Sequence, residues 1–118
     1  MMEYYAVQGC QFQLSSGQGT VVCQTLPSSK MSIDGKGVYV GTINLTIAAY
    51  TNESLTEGMG SGVLSGTSKN KSQGLPIIRE KDESLEILVT GVDASGKTAT
   101  TTVTVTISDA GQKLVKGE

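Results

Sequence analysis

From Thr98 to Thr106 every even-numbered residue is threonine, and the odd-numbered residues between them and beyond run Ala99, Thr101, Val103, Val105, Ile107. A strict period of two is that of a strand whose side chains alternate between opposite faces, and no helical stripe fits it. Threonine and valine, branched at Cβ and stiff at χ1, favour the same extended backbone. Ten such residues at about 3.3 Å each reach over about 30 Å. Just upstream, Leu85, Ile87 and Val89 alternate with Glu86, Leu88 and Thr90, and Asp93-Ala94-Ser95-Gly96 supplies turn residues between the two runs. The pattern predicts a long C-terminal β-hairpin with one apolar face and one ladder of hydroxyls.

The rest of the chain reads the same way. Short apolar runs at 3–7, 11–14, 20–25, 30–33 and 38–47 are separated by turn clusters at 8–9, 15–19, 26–29 and 34–37. With 15 Gly, 14 Thr and 13 Ser in 118 residues, this is an all-β pattern of short strands, and the length suits a single domain, 1–118. Residues 51–74 are rich in Gly, Ser, Thr and Asn. They are expected to be mostly loop, with a capped turn near Asn52 or Ser54 and a short strand at Gly62–Leu64. Residues 110–118 are polar and expected to be a flexible tail. Only 37% of residues are hydrophobic and 4% aromatic, which makes a thin core and leads us to expect that a partner covers apolar surface.

Chemistry is mostly excluded. Without a single His, a Ser-His-Asp or Cys-His nucleophile and a His-bearing zinc site cannot be built within one chain. Gly91-Val92-Asp93-Ala94-Ser95-Gly96-Lys97-Thr98 matches GxxxxGK[ST], yet that motif needs a helix beginning at the Lys, and the Thr ladder begins there instead. Gly58-Met59-Gly60-Ser61-Gly62-Val63-Leu64-Ser65-Gly66 offers no register of GxGxxG and no βαβ context. Glu80, Asp82, Glu83 and Glu86, interleaved with Arg79 and Lys81, read as a solvated run before a strand. No catalytic, cofactor-binding or metal residue is assigned, and no enzyme activity or cofactor is expected.

A net charge of −2 with no basic run gives no footprint for nucleic acid, and no segment is apolar for the length of a membrane span. The start, Met1-Met2-Glu3-Tyr4-Tyr5, has neither a basic region nor an apolar run of a signal peptide, so the chain is expected to be cytoplasmic when synthesised. In that setting the sequons at Asn44, Asn52 and Asn70 carry no glycan. Cys10 and Cys23, twelve residues between them, suit neither a CxxC pair nor a four-ligand zinc site. Free buried thiols are expected, with a disulfide or a shared metal in an oligomer as the alternatives.

Three stretches in order resemble the PAAR and PAAR-like proteins that tip the spikes of contractile injection systems. Tyr5-Ala6-Val7-Gln8-Gly9-Cys10-Gln11-Phe12-Gln13-Leu14-Ser15-Ser16-Gly17 is similar to the family's opening, a short strand leading to Gly and then a Cys near the first turn. Met31-Ser32-Ile33-Asp34-Gly35-Lys36-Gly37-Val38-Tyr39-Val40-Gly41 is similar to its strand, Gly-Lys turn, strand unit. Thr56-Glu57-Gly58-Met59-Gly60-Ser61-Gly62-Val63-Leu64-Ser65-Gly66-Thr67 resembles its Gly-rich segment. The Pro-Ala-Ala-Arg element is replaced by Gly37-Val38-Tyr39-Val40, and Gly41-Thr42 stands where Gly-Asp often follows.

The resemblance implies a small PAAR-like cone of short strands, non-enzymatic, whose base caps a trimeric spike of a type VI secretion system or phage tail. The implied partners are that spike, of the valine-glycine repeat type or its phage equivalent, and effector proteins; export would be with the apparatus. The metal-bearing apex of His and Cys that many members have is not implied here, because the chain has no His. A second reading comes from Leu85–Val105, which also looks like the final hairpin of an immunoglobulin-like β-sandwich in a bacterial surface adhesion or scaffold module.

Overall fold

A computed structural model describes residues 2–72 and 74–117. The chain is all-β: no helix forms among these residues. The strands of the first half are β1 (Glu3–Tyr4), β2 (Gln11–Leu14), β3 (Gln18–Cys23), β4 (Ser32–Ile33), β5 (Lys36–Gly37) and β6 (Thr42–Thr51). Those of the second are β7 (Thr56–Ser65), β8 (Lys71–Ser72), β9 (Leu75–Pro76), β10 (Ile87–Val92), β11 (Thr98–Val103), β12 (Val105–Asp109) and β13 (Lys116–Gly117). A five-stranded antiparallel sheet has the order β11-β10-β7-β6-β3, and β12 pairs with β2 in a separate two-stranded sheet. Three two-stranded ribbons, β1 with β13, β4 with β5 and β8 with β9, sit beyond them. The whole measures 48 × 24 × 22 Å.

Alternation places the core. On β6, Ile43, Leu45 and Ile47 point inward and are buried, while Thr42, Asn44 and Thr46 face out. A bulge at Ala49, in the left-handed region at φ 53°, shifts the register so that Tyr50 also turns inward. Ile87 and Val89 of β10, then Val103, Val105 and Ile107, complete the larger cluster from the other strands. A second cluster, Tyr5, Val7, Ile33, Val38 and Ile77, fills the ribbon end.

Three expectations change. The C-terminal hairpin exists, with β10 against β11, but the alternating run does not stay in one sheet. It breaks at Thr104, whose N–H donates to Ser15 Oγ and whose carbonyl accepts from Ser15 N–H, and continues as β12 beside β2. The inward face keeps its phase across the break, so one alternating sequence serves two sheets.

The Gly-rich middle is not a loop: β7 runs for ten residues between β6 and β10. Its glycines are there for close packing. A Cβ at Gly60 would lie 2.6 Å from the Leu88 carbonyl oxygen, and one at Gly62 would collide with Ile87. Turn-like composition here reflects crowding by β10, a contact that no local pattern displays. The capped turn near Asn52 forms as an Asx turn, with Asn52 Oδ1 accepting the N–H groups of Ser54 and Leu55.

The tail expected to fray is tied down through residue 117. Gln112 is buried; its Nε2 donates to the carbonyls of Tyr5 and Val115, and its Oε1 accepts from Leu114 and Val115 N–H. β13 then pairs with β1. Polarity at Gln112 marked hydrogen bonding to the N-terminal segment, although the side chains of 113–116 stay exposed.

Candidate functional site

The chain passes three times through one narrow waist, at residues 5–7, 38–40 and 77–79. Each passage follows a two-stranded ribbon directly: β1 leads into the first, β5 into the second and β9 into the third. The passages pair cyclically, Val7 with Val38, Val40 with Ile77, and Arg79 with Tyr5. Their middle residues close a ring of hydrogen bonds: Tyr39 N–H donates to Ala6 C=O at 3.0 Å, Ile78 N–H to Tyr39 C=O at 3.0 Å, and Ala6 N–H to Ile78 C=O at 2.8 Å. A second cyclic set surrounds it, from Gln8 N–H to Gly37 C=O, Gly41 N–H to Pro76 C=O and Glu80 N–H to Tyr4 C=O.

These bonds relate the passages by an approximate threefold axis. Ala6, Tyr39 and Ile78 turn into the larger core, and their neighbours Tyr5, Val7, Val38 and Ile77 turn into the ribbon-end core. The ribbons follow the same rule. Gly35 and Gly74 take left-handed φ of 76° and 81° at the turns of the second and third. In the first ribbon the two chain ends, β1 and β13, take the place of a turn.

The third passage departs from the others at Arg79, where the first two have Val7 and Val40. Its Nη1 donates to Gly117 C=O and its Nη2 to Thr67 Oγ1. Asp82 is buried, accepting from Thr67 Oγ1 at 2.6 Å and Arg79 N–H at 2.8 Å. Glu80 accepts from Ala110 N–H and lies 3.6 Å from Lys113 Nζ. The acidic run therefore divides: Asp82 and Glu80 hold the waist to its neighbours, whereas Glu83 and Glu86 are exposed. The carboxylates are not brought together as an acid/base pair.

Cys10 and Cys23 are free, half-buried thiols packed against the larger core. Burial pushes the Cys10 thiol up to about 12, and the nearby Cys23 adds to it. Burial likewise raises the Tyr39 phenol, with Cys23 and then Cys10 contributing. Cys23 Sγ donates to Thr25 C=O. The folding brings together two cysteines that sequence spacing left apart, but a thiol held protonated is a poor nucleophile. No group of three His, Cys, Asp or Glu gathers anywhere among the described residues.

Gly91–Thr98 forms the hairpin turn expected of it. Asp93 Oδ1 accepts from the N–H groups of Ser95 and Lys97, and β11 follows where a phosphate-binding helix would have to start. Sequence reasoning missed the threefold ring altogether. The three passages share a hydrogen-bond pattern rather than residues, and only Gly35 and Gly74, at corresponding ribbon turns, hint at it. No helix among the described residues is long and apolar enough to cross a membrane. No family model, curated protein or solved structure matches the chain.

Proposed function

We propose that this chain is a non-enzymatic tip protein that caps a trimeric spike of a contractile injection apparatus. The observation that carries the reading is the cyclic ring of Ala6, Tyr39 and Ile78: a single chain with an approximate threefold axis can meet three identical subunits in three similar ways.

Exposed apolar side chains support docking through the ribbon end. The ribbon end exposes Met2, Leu114 and Val115 beside the first ribbon and Leu75 on the third, and Leu26 precedes the second. The opposite end carries the turns 15–17, 52–54 and 93–97, whose residues are polar or Gly apart from Ala94. Apolar side chains on short, open ribbons suit burial against a spike, and a polar end suits exposure at the tip. Synthesis in the cytoplasm, export with the apparatus and carriage of effector proteins follow from this role.

The immunoglobulin-like reading has less support, because the chain winds around a threefold waist instead of forming two sheets stacked face to face. The role is tested by co-expressing the chain with a trimeric spike of the valine-glycine repeat type and purifying through a tag on the spike. Co-elution is expected, and its loss on Leu75→Asp; a spike that elutes alone from both overturns the reading.

A further inference from the structure

Around the long axis the strands make a circuit with one break. β2 pairs with β12, β12 with residues 82–84, β10 with β7, β7 with β6, and β6 with β3. The last seam, β3 with β2, is joined by the turn 15–17 but has no ladder. The threefold relation makes β2 and β3 the counterparts of β6 and β7, which do pair. Tyr50 holds this turn in place: its hydroxyl donates to Ser16 C=O at 3.0 Å, its ring lies under Gly17, and its Cα and Cβ lie against Gly19.

Phe12 and Leu14 lie opposite Ile107 and Val105 on β12, and Val21 opposite Ile47 on β6; all three of those partners are buried at 0–1% exposure. Phe12, Leu14 and Val21 face the same core yet remain only half buried. They line a groove of about 610 Å³ that carries no charged side chain. The main chain points into it as well. Ser15 N–H bonds to Thr104, and on the far side of β12 Ser84 N–H bonds to Val105 and Ile107 N–H to Asp82. Antiparallel alternation then turns the N–H and C=O groups of Phe12 and Leu14 away from β12 and toward the seam. Gln24 N–H bonding to Asn44 C=O turns those of Val21 and Cys23 the same way on β3.

We propose that this seam is a docking slot for one extended segment of a partner polypeptide, which adds as a strand along β2 and lays alternate apolar side chains over Phe12, Leu14 and Val21. A row of free backbone donors and acceptors selects another main chain, which a helix or a lipid cannot supply. An uncharged lining selects an uncharged segment. The slot lies on the side of the circuit, away from the ribbons, so it stands independently of what the ribbon end meets.

The test uses a labelled synthetic peptide with the sequence of residues 98–107, flanked by lysines for solubility, since that alternating segment already includes the run that pairs with β2 on its other edge. Fluorescence anisotropy should show saturable binding to the full chain at tens of micromolar, roughly. Amide exchange should slow at Phe12, Leu14, Val21 and Cys23. A peptide with proline at alternate positions should bind at least about tenfold more weakly, because its donors are removed. No binding at about 1 mM peptide, equal binding of the proline peptide, or protection confined to the β11 edge would each overturn the slot. Leu14→Lys, with its fold checked by circular dichroism, should abolish binding; unchanged affinity counts against it.

Discussion

The Tyr39 amide donates to the Ala6 carbonyl at 3.0 Å, and that bond ties the first passage of the chain through the waist to the second. Ile78 closes the ring by accepting from Ala6 and donating to Tyr39. Three distant parts of the sequence thus hold one another before any partner is involved, and the ribbons beyond them inherit the same approximate symmetry.

Ile78 is fully buried in the larger core as well as bonded in the ring. Ile78→Ala should cost about 2–5 kcal/mol through lost burial and the cavity left behind, read from urea unfolding. Ala in place of exposed Leu85 should change stability by no more than about 0.5 kcal/mol.

Gly17 sits at φ 69° directly over the Tyr50 ring. Gly17→Ala therefore meets both an unfavourable backbone region and a collision, and should destabilise by about 2 kcal/mol or more. Tyr50→Phe keeps the ring but removes the bond to Ser16 C=O and the one accepted from Asn52 Nδ2, and should cost about 1 kcal/mol. The contrast in melting temperature separates shape from hydrogen bonding.

Asp82 accepts from Thr67 Oγ1 and from Arg79 N–H in a buried setting. Asp82→Ala leaves both donors unpaired and should cost about 2–3 kcal/mol. Faster amide exchange at Arg79 should accompany it.

The Cys10 thiol is raised from 9.0 to about 12, chiefly by burial. The folded chain then binds this proton more tightly than the unfolded one. The contribution is complete below about pH 9 and is lost as pH rises through about 12. Tyr39, raised for the same reason, acts in the same direction. Unfolding midpoints should fall steadily across this alkaline window, and Cys10→Ala should flatten the slope.

How much of this was legible in the sequence depends on the range of the interaction. Alternation at Thr98–Ile107 and at Ile87–Val89 named the buried faces, because a strand's period is local, but Leu85, read on the same face, lies before β10 and is exposed. The same alternation could not show that Ser15 captures Thr104 and sends β12 to another sheet. Gly58 and Gly60 read as loop, with only Gly62–Leu64 taken as strand, because the crowding that requires these glycines comes from Ile87, Leu88 and Val89 on β10. Gln112 read as tail because its partner, Tyr5, is at the other end of the chain. The threefold ring left almost no trace, since backbone bonds of Ala6, Tyr39 and Ile78 do not constrain which side chains stand there.

Native mass spectrometry of the chain mixed with a trimeric spike of the valine-glycine repeat type tests the central claim most directly. A single chain whose waist carries its own threefold relation should bind once per trimer, giving three spike subunits to one copy. Three copies per trimer, or no complex at roughly 10 μM of each component, would contradict the account.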